Sequence, residues 1–345
     1  MAFLKYFLFA IALLNTSCQL GYITKSGYYQ AKLLWNRQPI EDVLKDPGVS
    51  EKVKSKLTLA KQAKDFAQNE LSLKPTKNYE SYVSLDDRYV TYAVTAAPPY
   101  ELKNYLWKFP IVGEVPYKGF FKKEDALDEE QEMKGKGYDT YIRGISAYST
   151  LGWFNDPLLS SMIGYEDEDL VNTVVHETVH ATIYIKNAAE FNERLATFLG
   201  NKGTELFYIA REGGKSPTVK KIADENSDDL VFSRFISNEL KRLETFYRTE
   251  TPMNPEKKER ALAQLKERFE KSLRPQLKSK SYLRFSEIKL NNAFLMGYKT
   301  YMNDLSDFEK VFANFNGDFK KFLEFCKSLE GEKDPAEAFK QKSVK

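Results

Sequence analysis

The stretch of sequence that decides the fold is VVHETVHATIYIKNAAEFNERLATFLG, residues 174–200. The chain has 345 residues but only two histidines, His176 and His180, and Glu177 directly follows the first. On an α-helix, residues four apart lie on the same face, so both imidazoles can bind one metal ion. Glu177 lies about 100° around the helix axis, where its carboxylate can take a proton from a metal-bound water. This is the HExxH arrangement of zinc peptidases, and with so few histidines chance would produce it on the order of once in a few thousand sequences.

A catalytic zinc site also needs a third protein ligand and an open position for water, and no histidine is left to supply the ligand. Glu190 and Glu193 are the near candidates, ten and thirteen residues beyond the second histidine. A break at residues 186–187 lets the chain turn, so that a second helix can bring one of them to the metal. Residues 192–196 read NERLA, which is similar to the NExxA pattern of Glu-type zinc peptidases and favours Glu193. Asp169, on the first helix, is a weaker alternative.

The overall composition is that of a globular protein rather than a membrane or disordered one. Hydrophobic residues make up 42% of the chain and charged residues 29%. The 52 basic and 49 acidic residues leave a net charge of +3. A dedicated nucleic-acid-binding protein would carry a stronger basic excess, so we expect no nucleic-acid partner.

The N-terminal sequence MAFLKYFLFAIALLNTSCQLGY has the proportions of a secretory signal peptide. Its apolar run, residues 6–14, is too short to span a bilayer, which takes ~20 apolar residues. A threonine and a serine precede Cys18, as in a bacterial lipobox, although Asn15 stands where leucine is usual. We expect residues 1–17 to be a lipoprotein-type signal peptide and Cys18 to be lipidated. The protein would then be exported and anchored by lipid in the bacterial cell envelope, facing the periplasm. An ordinary signal peptide or an uncleaved anchor is the alternative.

Hydrophobic periodicity predicts mixed α and β structure along the chain. Apolar residues at helical spacing predict one main helix within residues 40–71. The runs RYVTYAVTA, WKFPIVGEVPYKGFF and GYDTYIRGISAYS predict strands, with a short acidic helix before the last of them. From Asp167 onward the pattern is almost entirely helical, and residues 230–248 and 255–273 predict a helical hairpin. The polar tail from about Gly331 is expected to fray, and Cys326 is expected to be buried.

Five segments, taken in order, resemble a bacterial family of predicted zinc aminopeptidases, many of them lipoproteins. They are WKFPIVGEVPYKGFF, AYSTLGWFNDPLL, HETVHATIY, FNERLATFLGNKG and NNAFLMGYKTY. The resemblance covers about residues 19–329 and implies a metallopeptidase-like fold and function. It implies that His176, His180 and Glu193 are the zinc ligands. It also implies that Glu177 is the general base.

The fold class we expect is α+β, a mostly helical zincin-like metallopeptidase domain with a small antiparallel or mixed sheet preceding the HExxH helix. We expect a single domain over residues 18–345. Its first part, residues 19–160, would contain a helix and the sheet. Its second part, residues 161–330, would be helical and carry the zinc site.

Amide hydrolysis also requires a hydrogen-bond donor to the developing oxyanion. With no histidine left, a tyrosine or an arginine must supply it, and the candidates are Tyr148, Tyr298 and Tyr301. We favour Tyr301 as a catalytic residue. For each of them the alternative is a packed tyrosine whose hydroxyl is already hydrogen-bonded.

The function we expect is zinc-dependent hydrolysis of peptide bonds, as an aminopeptidase acting on a peptide or protein substrate. Glu177 would activate a zinc-bound water and return the proton to the leaving amine. One alternative is an endopeptidase acting on envelope substrates. Another is a non-catalytic, zinc-containing envelope binding protein, and a third is a purely structural zinc site.

Overall fold

Helices make up most of the structure, and the strands form small sheets of two or three strands. The chain is therefore mixed α+β, as the sequence predicts. The structure is a computed structural model and describes residues 21–109, 113–147, 155–186, 188–301 and 305–343, without the side chains of residues 300 and 301.

Twelve α-helices can be followed in the described part of the chain. They are α1 (residues 21–35), α2 (Ile40–Lys45), α3 (Glu51–Asn69), α4 (Lys123–Gly135), α5 (Asp167–Thr182), α6 (Ala189–Glu212), α7 (Pro217–Thr249), α8 (Pro255–Arg268), α9 (Asn292–Tyr301), α10 (Ser306–Asn314), α11 (Phe319–Ser328) and α12 (Pro335–Ser343). Among them, none combines the length and apolar character needed to cross a membrane.

Several helix starts follow directly from the sequence. Ser50, Ser216 and Asn254 precede α3, α7 and α8, and their side chains accept hydrogen bonds from the backbone of the first turn. In α7 and α8 a proline comes next, where its missing N–H costs nothing. The break between α7 and α8 is the one predicted for the helical hairpin. α7 is longer than predicted, and α8 ends at Arg268, where a π-helical turn, Phe269–Leu273, continues the chain.

The strands all precede α5, as predicted. One sheet has the order β1-β2-β8, antiparallel and then parallel, from β1 (Gln38–Pro39), β2 (Ser81–Val83) and β8 (Leu158–Leu159). The second is antiparallel with the order β6-β3-β7, from β6 (Lys118–Phe120), β3 (Thr91–Ala97) and β7 (Asp139–Ile145). A hairpin pairs β4 (Trp107–Phe109) with β5 (Gly113–Val115).

The buried apolar residues form two main clusters. The larger one joins α3, α5 and α6 to the C-terminal helices. The second lies between α7, α8, α9 and the end of β3. Helix α7 connects them, since Val219 and Ile222 belong to the first cluster and Phe232 and Ile236 to the second.

The C-terminal tail corrects a prediction. Residues 335–343 form α12 instead of fraying, because Phe339 is only 1% exposed and packs against Phe308, with ring centroids 4.3 Å apart. Ala336 and Ala338 also pack against the larger cluster, but Phe339 is the large buried side chain that holds this short, mostly polar segment in place. Cys326, on α11, is fully buried as predicted.

Candidate metal centre

Helix α5 carries the first two residues of the site. Acidic residues in its first turn interact favourably with the helix dipole. One of them, Asp167, also accepts a 2.6 Å hydrogen bond from Lys56 of α3. Val171, Val174 and Val175 are fully buried and hold the helix in the larger cluster. A valine-rich sequence can form a helix here because burial outweighs its modest helix propensity.

The two histidines lie one turn apart on α5 and point to the same place. Their Nε2 atoms are 3.1 Å apart, and their rings are nearly perpendicular, at 80°. His180 is buried, whereas His176 is partly exposed. The arrangement brings both Nε2 atoms close enough to bind one ion.

The turn after α5 begins earlier than predicted. We expected the break at residues 186–187, but α5 ends at Thr182 and the next residues run extended. Ile185 is buried in this turn, where the amide side chain of Asn192 pairs with its backbone. Asn192 accepts a 2.9 Å hydrogen bond from the Ile185 N–H and donates a 2.8 Å bond to its carbonyl. This clamp sets where α6 begins, and so where Glu193 lies.

Glu193 brings its carboxylate to the two imidazoles. Its Oε1 lies 3.3 Å from His180 Nε2, and its Oε2 lies 3.7 Å from His176 Nε2. Within the described residues, these three form the group of side chains whose ligand atoms are close enough to share a metal ion. Ligand atoms around a tetrahedral zinc lie about 3.3 Å apart, so the observed spacing fits such an ion. The Glu193 side chain is 54% exposed, which leaves the site open to solvent on that side.

The charges of the three residues depend on one another. The neighbouring imidazoles of His176 and then of His180 hold the pKa of the Glu193 carboxyl far below its usual value. Burial by itself would lower the pKa of His180, but the hydrogen bond to Glu193, with the charges of Glu193 and Glu177, raises it overall.

Glu177, the residue after the first histidine, has an unusual environment. Its side chain is half-buried, and its buried Oε2 has no hydrogen-bond partner among the described residues. A buried carboxylate oxygen without a partner is costly, because it has lost its hydration without replacement. Glu177 therefore has an acceptor free for a water molecule or a substrate proton.

Tyr79 is a residue near the site that the sequence did not reveal. It is buried, and the pKa of its hydroxyl is raised well above the usual value by burial and then by the charges of Glu177 and Asp156. Its backbone adopts a left-handed conformation with φ of 59°, and its N–H donates a 2.7 Å hydrogen bond to the Asp156 carbonyl. The loop that carries Tyr79 has no motif, so only the structure shows that it lies close to Glu177.

An ion pair and a glycine position α6 against its neighbours beside the site. Arg194 forms a 2.6 Å ion pair with Asp307 of α10. At Gly200, a Cβ atom would lie 3.4 Å from His176 Cβ and 3.3 Å from Asn172 Oδ1. The glycine lets the backbone of α6 approach α5 directly alongside the first histidine.

The remaining candidates do not join the group of potential ligands. Glu190 is exposed in the first turn of α6, and Asp169 lies near the start of α5, where burial raises the pKa of its carboxyl. Tyr298 packs among aromatic rings of the second cluster, and burial raises its pKa to about 12. Its ring is therefore packed among its neighbours, which is one part of the packed alternative. Tyr301 is the last residue of α9, but its side chain lies outside the described structure, as do Tyr148 and Cys18.

Fold and site together define a mixed α+β protein with three potential metal ligands on two adjacent helices, next to a glutamate with a free acceptor. The sequence profile of a family described as "putative aminopeptidase" matches residues 21–341, and the chain belongs to this family. This confirms the family expected from the sequence, whose name indicates peptidase activity. Neither the curated proteins nor the solved structures include one that matches the chain.

Proposed function

We propose that this protein is a zinc-dependent aminopeptidase in which His176, His180 and Glu193 hold the metal and Glu177 moves the protons. One observation carries the proposal. Two nitrogen atoms and a carboxylate, brought from two helices, meet at separations of 3.1 to 3.7 Å in a chain of an aminopeptidase family.

The donor set suits zinc better than magnesium or calcium. Zinc binds imidazole and carboxylate groups, and catalytic sites use three protein ligands and leave one position open. Magnesium and calcium prefer oxygen ligands, which two histidines do not supply. The exposed side of Glu193 would let a substrate reach a metal held there.

The reaction assigned to the site is the addition of water to a peptide bond. A zinc ion held by His176, His180 and Glu193 would polarise the scissile carbonyl and make water a stronger acid. Glu177 accepts the proton of the attacking water at its free Oε2 and delivers it to the nitrogen of the leaving amine. The C–N bond breaks as the amine takes up this proton, and the carboxylate returns to its starting state. We propose Tyr301 as the donor to the developing oxyanion.

We also propose that the protein is exported to the bacterial cell envelope. Residues 1–17 would be removed and Cys18 lipidated, which would tether the enzyme to a membrane facing the periplasm. The apolar run and the Thr-Ser-Cys sequence support this proposal. The substrate would be a peptide or protein in that compartment.

The decisive experiment compares the zinc-loaded full-length protein with its Glu177→Gln variant on a mixed peptide library, with cleavage read by mass spectrometry. Glu190→Gln is the matched control, since Glu190 lies in the same helix pair but outside the ligand group. We expect stepwise loss of N-terminal residues with the wild type and the control, and none with Glu177→Gln. Internal cuts with the same dependence would identify an endopeptidase. Equal results for all three proteins would favour a non-catalytic zinc-binding protein.

A further inference from the structure

Helix α1, residues 21–35, is fastened to the protein by one of its faces. The Tyr22 hydroxyl donates a 2.7 Å hydrogen bond to the Gly119 carbonyl, and the Tyr29 ring stacks on Phe121 with centroids 5.5 Å apart. Leu33 is buried on the same side. These contacts determine which face of the helix turns outward.

The outward face carries two large aromatic side chains. Tyr28 is 65% exposed and Trp35 is 89% exposed. They are seven residues apart, so they lie on one stripe of the helix. The other exposed residues of this stripe are small, namely Gly21, Thr24 and Ala31. A tryptophan this exposed is unusual, because tryptophan is on average among the more buried residues of folded proteins.

The charges of α1 are all positive. Residues 21–35 contain two lysines and no acidic residue. Lys25 and Lys32 lie together along one side of the aromatic stripe and pair with Asp125 at 2.6 Å and Asp86 at 3.2 Å. Both lysines are about half exposed, and exposed ion pairs of this kind are weak, so the lysines can exchange these partners for other anions.

The position of α1 in the chain restricts what can cover this face. Cys18, the proposed lipidated residue, is three residues from Gly21, and three residues reach at most about 10 Å. Trp35 lies about 21 Å further along the helix axis. A lipid tether at Cys18 therefore keeps the start of α1 at the bilayer surface, whichever way the helix is tilted.

We propose that the outer face of α1, with Tyr28 and Trp35, lies flat in the interface of the bilayer to which the chain is tethered. The inference rests on the proposed attachment through Cys18 and adds a contact made by the folded chain itself. Tryptophan and tyrosine prefer the level of the lipid headgroups, and lysines near the surface are attracted to anionic lipids. The contact orients the enzyme on the membrane, which a flexible lipid tether alone does not do.

The test measures the depth of Trp35 in a membrane. The full-length protein is reconstituted into vesicles of phosphatidylethanolamine and phosphatidylglycerol whose acyl chains carry bromine atoms at a shallow or a deep position, and tryptophan fluorescence is recorded. We expect the shallow bromines to quench the wild type and the Trp35→Phe variant to lose most of that quenching. Trp107→Phe, which removes a buried tryptophan, is the control and should retain the quenching.

Several outcomes would overturn the inference. Equal quenching of the wild type and Trp35→Phe would show that Trp35 lies away from lipid. This is the result expected if the helix stands upright on its tether. Emission that depends on protein density instead of bromine would indicate a second copy on this face. If the protein stays with the vesicles but Trp35 is not quenched, the attachment stands and the contact fails. If it does not stay with them, both fail. Peptide hydrolysis does not enter the measurement, so the catalytic proposal is tested separately.

Discussion

Two neighbouring residues of one short motif, Asn192 and Glu193, have different roles, one structural and one at the candidate metal site. Asn192 is 2% exposed and supports the turn from inside, whereas Glu193 is largely exposed and faces the histidines. The sequence suggested Glu193 because of its motif, but it offered no reason for Asn192. The geometry explains both, because a ligand just after the turn is well placed only if the turn itself is rigid.

The first prediction concerns the third ligand. Replacing Glu193 by alanine removes the carboxylate and should lower zinc affinity by more than about 100-fold, since even changes outside the ligand set cost 10- to 100-fold. Competition with a chromophoric chelator measures the affinity. Glu190→Ala is the matched control and should bind zinc like the wild type. A loss seen only in Glu190→Ala would assign the ligand to Glu190.

The second prediction concerns the clamp on the turn. Asn192→Ala leaves the buried N–H and C=O of Ile185 without their partners, each at a cost of about 1–3 kcal/mol. We expect the free energy of unfolding to fall by about 3 kcal/mol, measured by urea denaturation of the metal-free protein. The exposed Asn36→Ala should change it by less than about 0.5 kcal/mol. Unchanged stability in Asn192→Ala would mean that water replaces the amide.

At the scale of elements, the site depends on how closely α6 approaches α5. Gly203 lies where the two helices meet, and a Cβ atom there would be 2.7 Å from Val175 Cγ1 and 2.9 Å from Leu71 Cδ1. Gly200, about one turn earlier, allows the two helices to approach beside His176. The two glycines thus set the distance between the helix that carries the histidines and the helix that carries Glu193.

The third prediction follows from this close approach. Alanine normally stabilises a helix by about 1 kcal/mol relative to glycine, but overpacking a core costs about 1–3 kcal/mol. We expect Gly203→Ala to lower the free energy of unfolding by about 1–2 kcal/mol, measured by denaturation. Gly135→Ala, in α4 with open space around it, should leave stability unchanged or raise it by up to about 1 kcal/mol. A stabilised Gly203→Ala would show that the helices separate easily.

At the scale of the whole molecule, the site lies on a core that does not need a metal. The larger cluster contains apolar residues from α3, α5, α6 and the C-terminal helices, and it holds α5 and α6 together away from the ligands. Burial of this many apolar side chains supplies the main driving force for folding. Metal binding should therefore affect function far more than folding.

The fourth prediction concerns metal removal. Chelation should abolish peptide hydrolysis while the helical circular dichroism signal and a cooperative thermal transition remain. The transition temperature should fall by only a few degrees, because the stabilisation by a bound ligand grows only with the logarithm of its free concentration relative to its Kd. Added zinc should restore activity, and magnesium should not. Loss of the cooperative transition on chelation would indicate a structural zinc site.

The sequence by itself determined the features that lie within single elements. The spacing of His176, Glu177 and His180 places them on one helix, and strands precede that helix. The hairpin of α7 and α8 and the family membership follow from local patterns as well. These features were predictable because helical and strand periodicity is set by backbone geometry over a few residues.

Only the tertiary structure decided the features that join different elements. It ends α5 at Thr182, brings Glu193 rather than Glu190 to the histidines, and places Tyr79 near Glu177. It also docks the polar tail through Phe339. Such contacts depend on the path of the loops and on packing between residues distant in sequence. Since the free energy of burial is shared among many partners, no local pattern specifies which of them will meet.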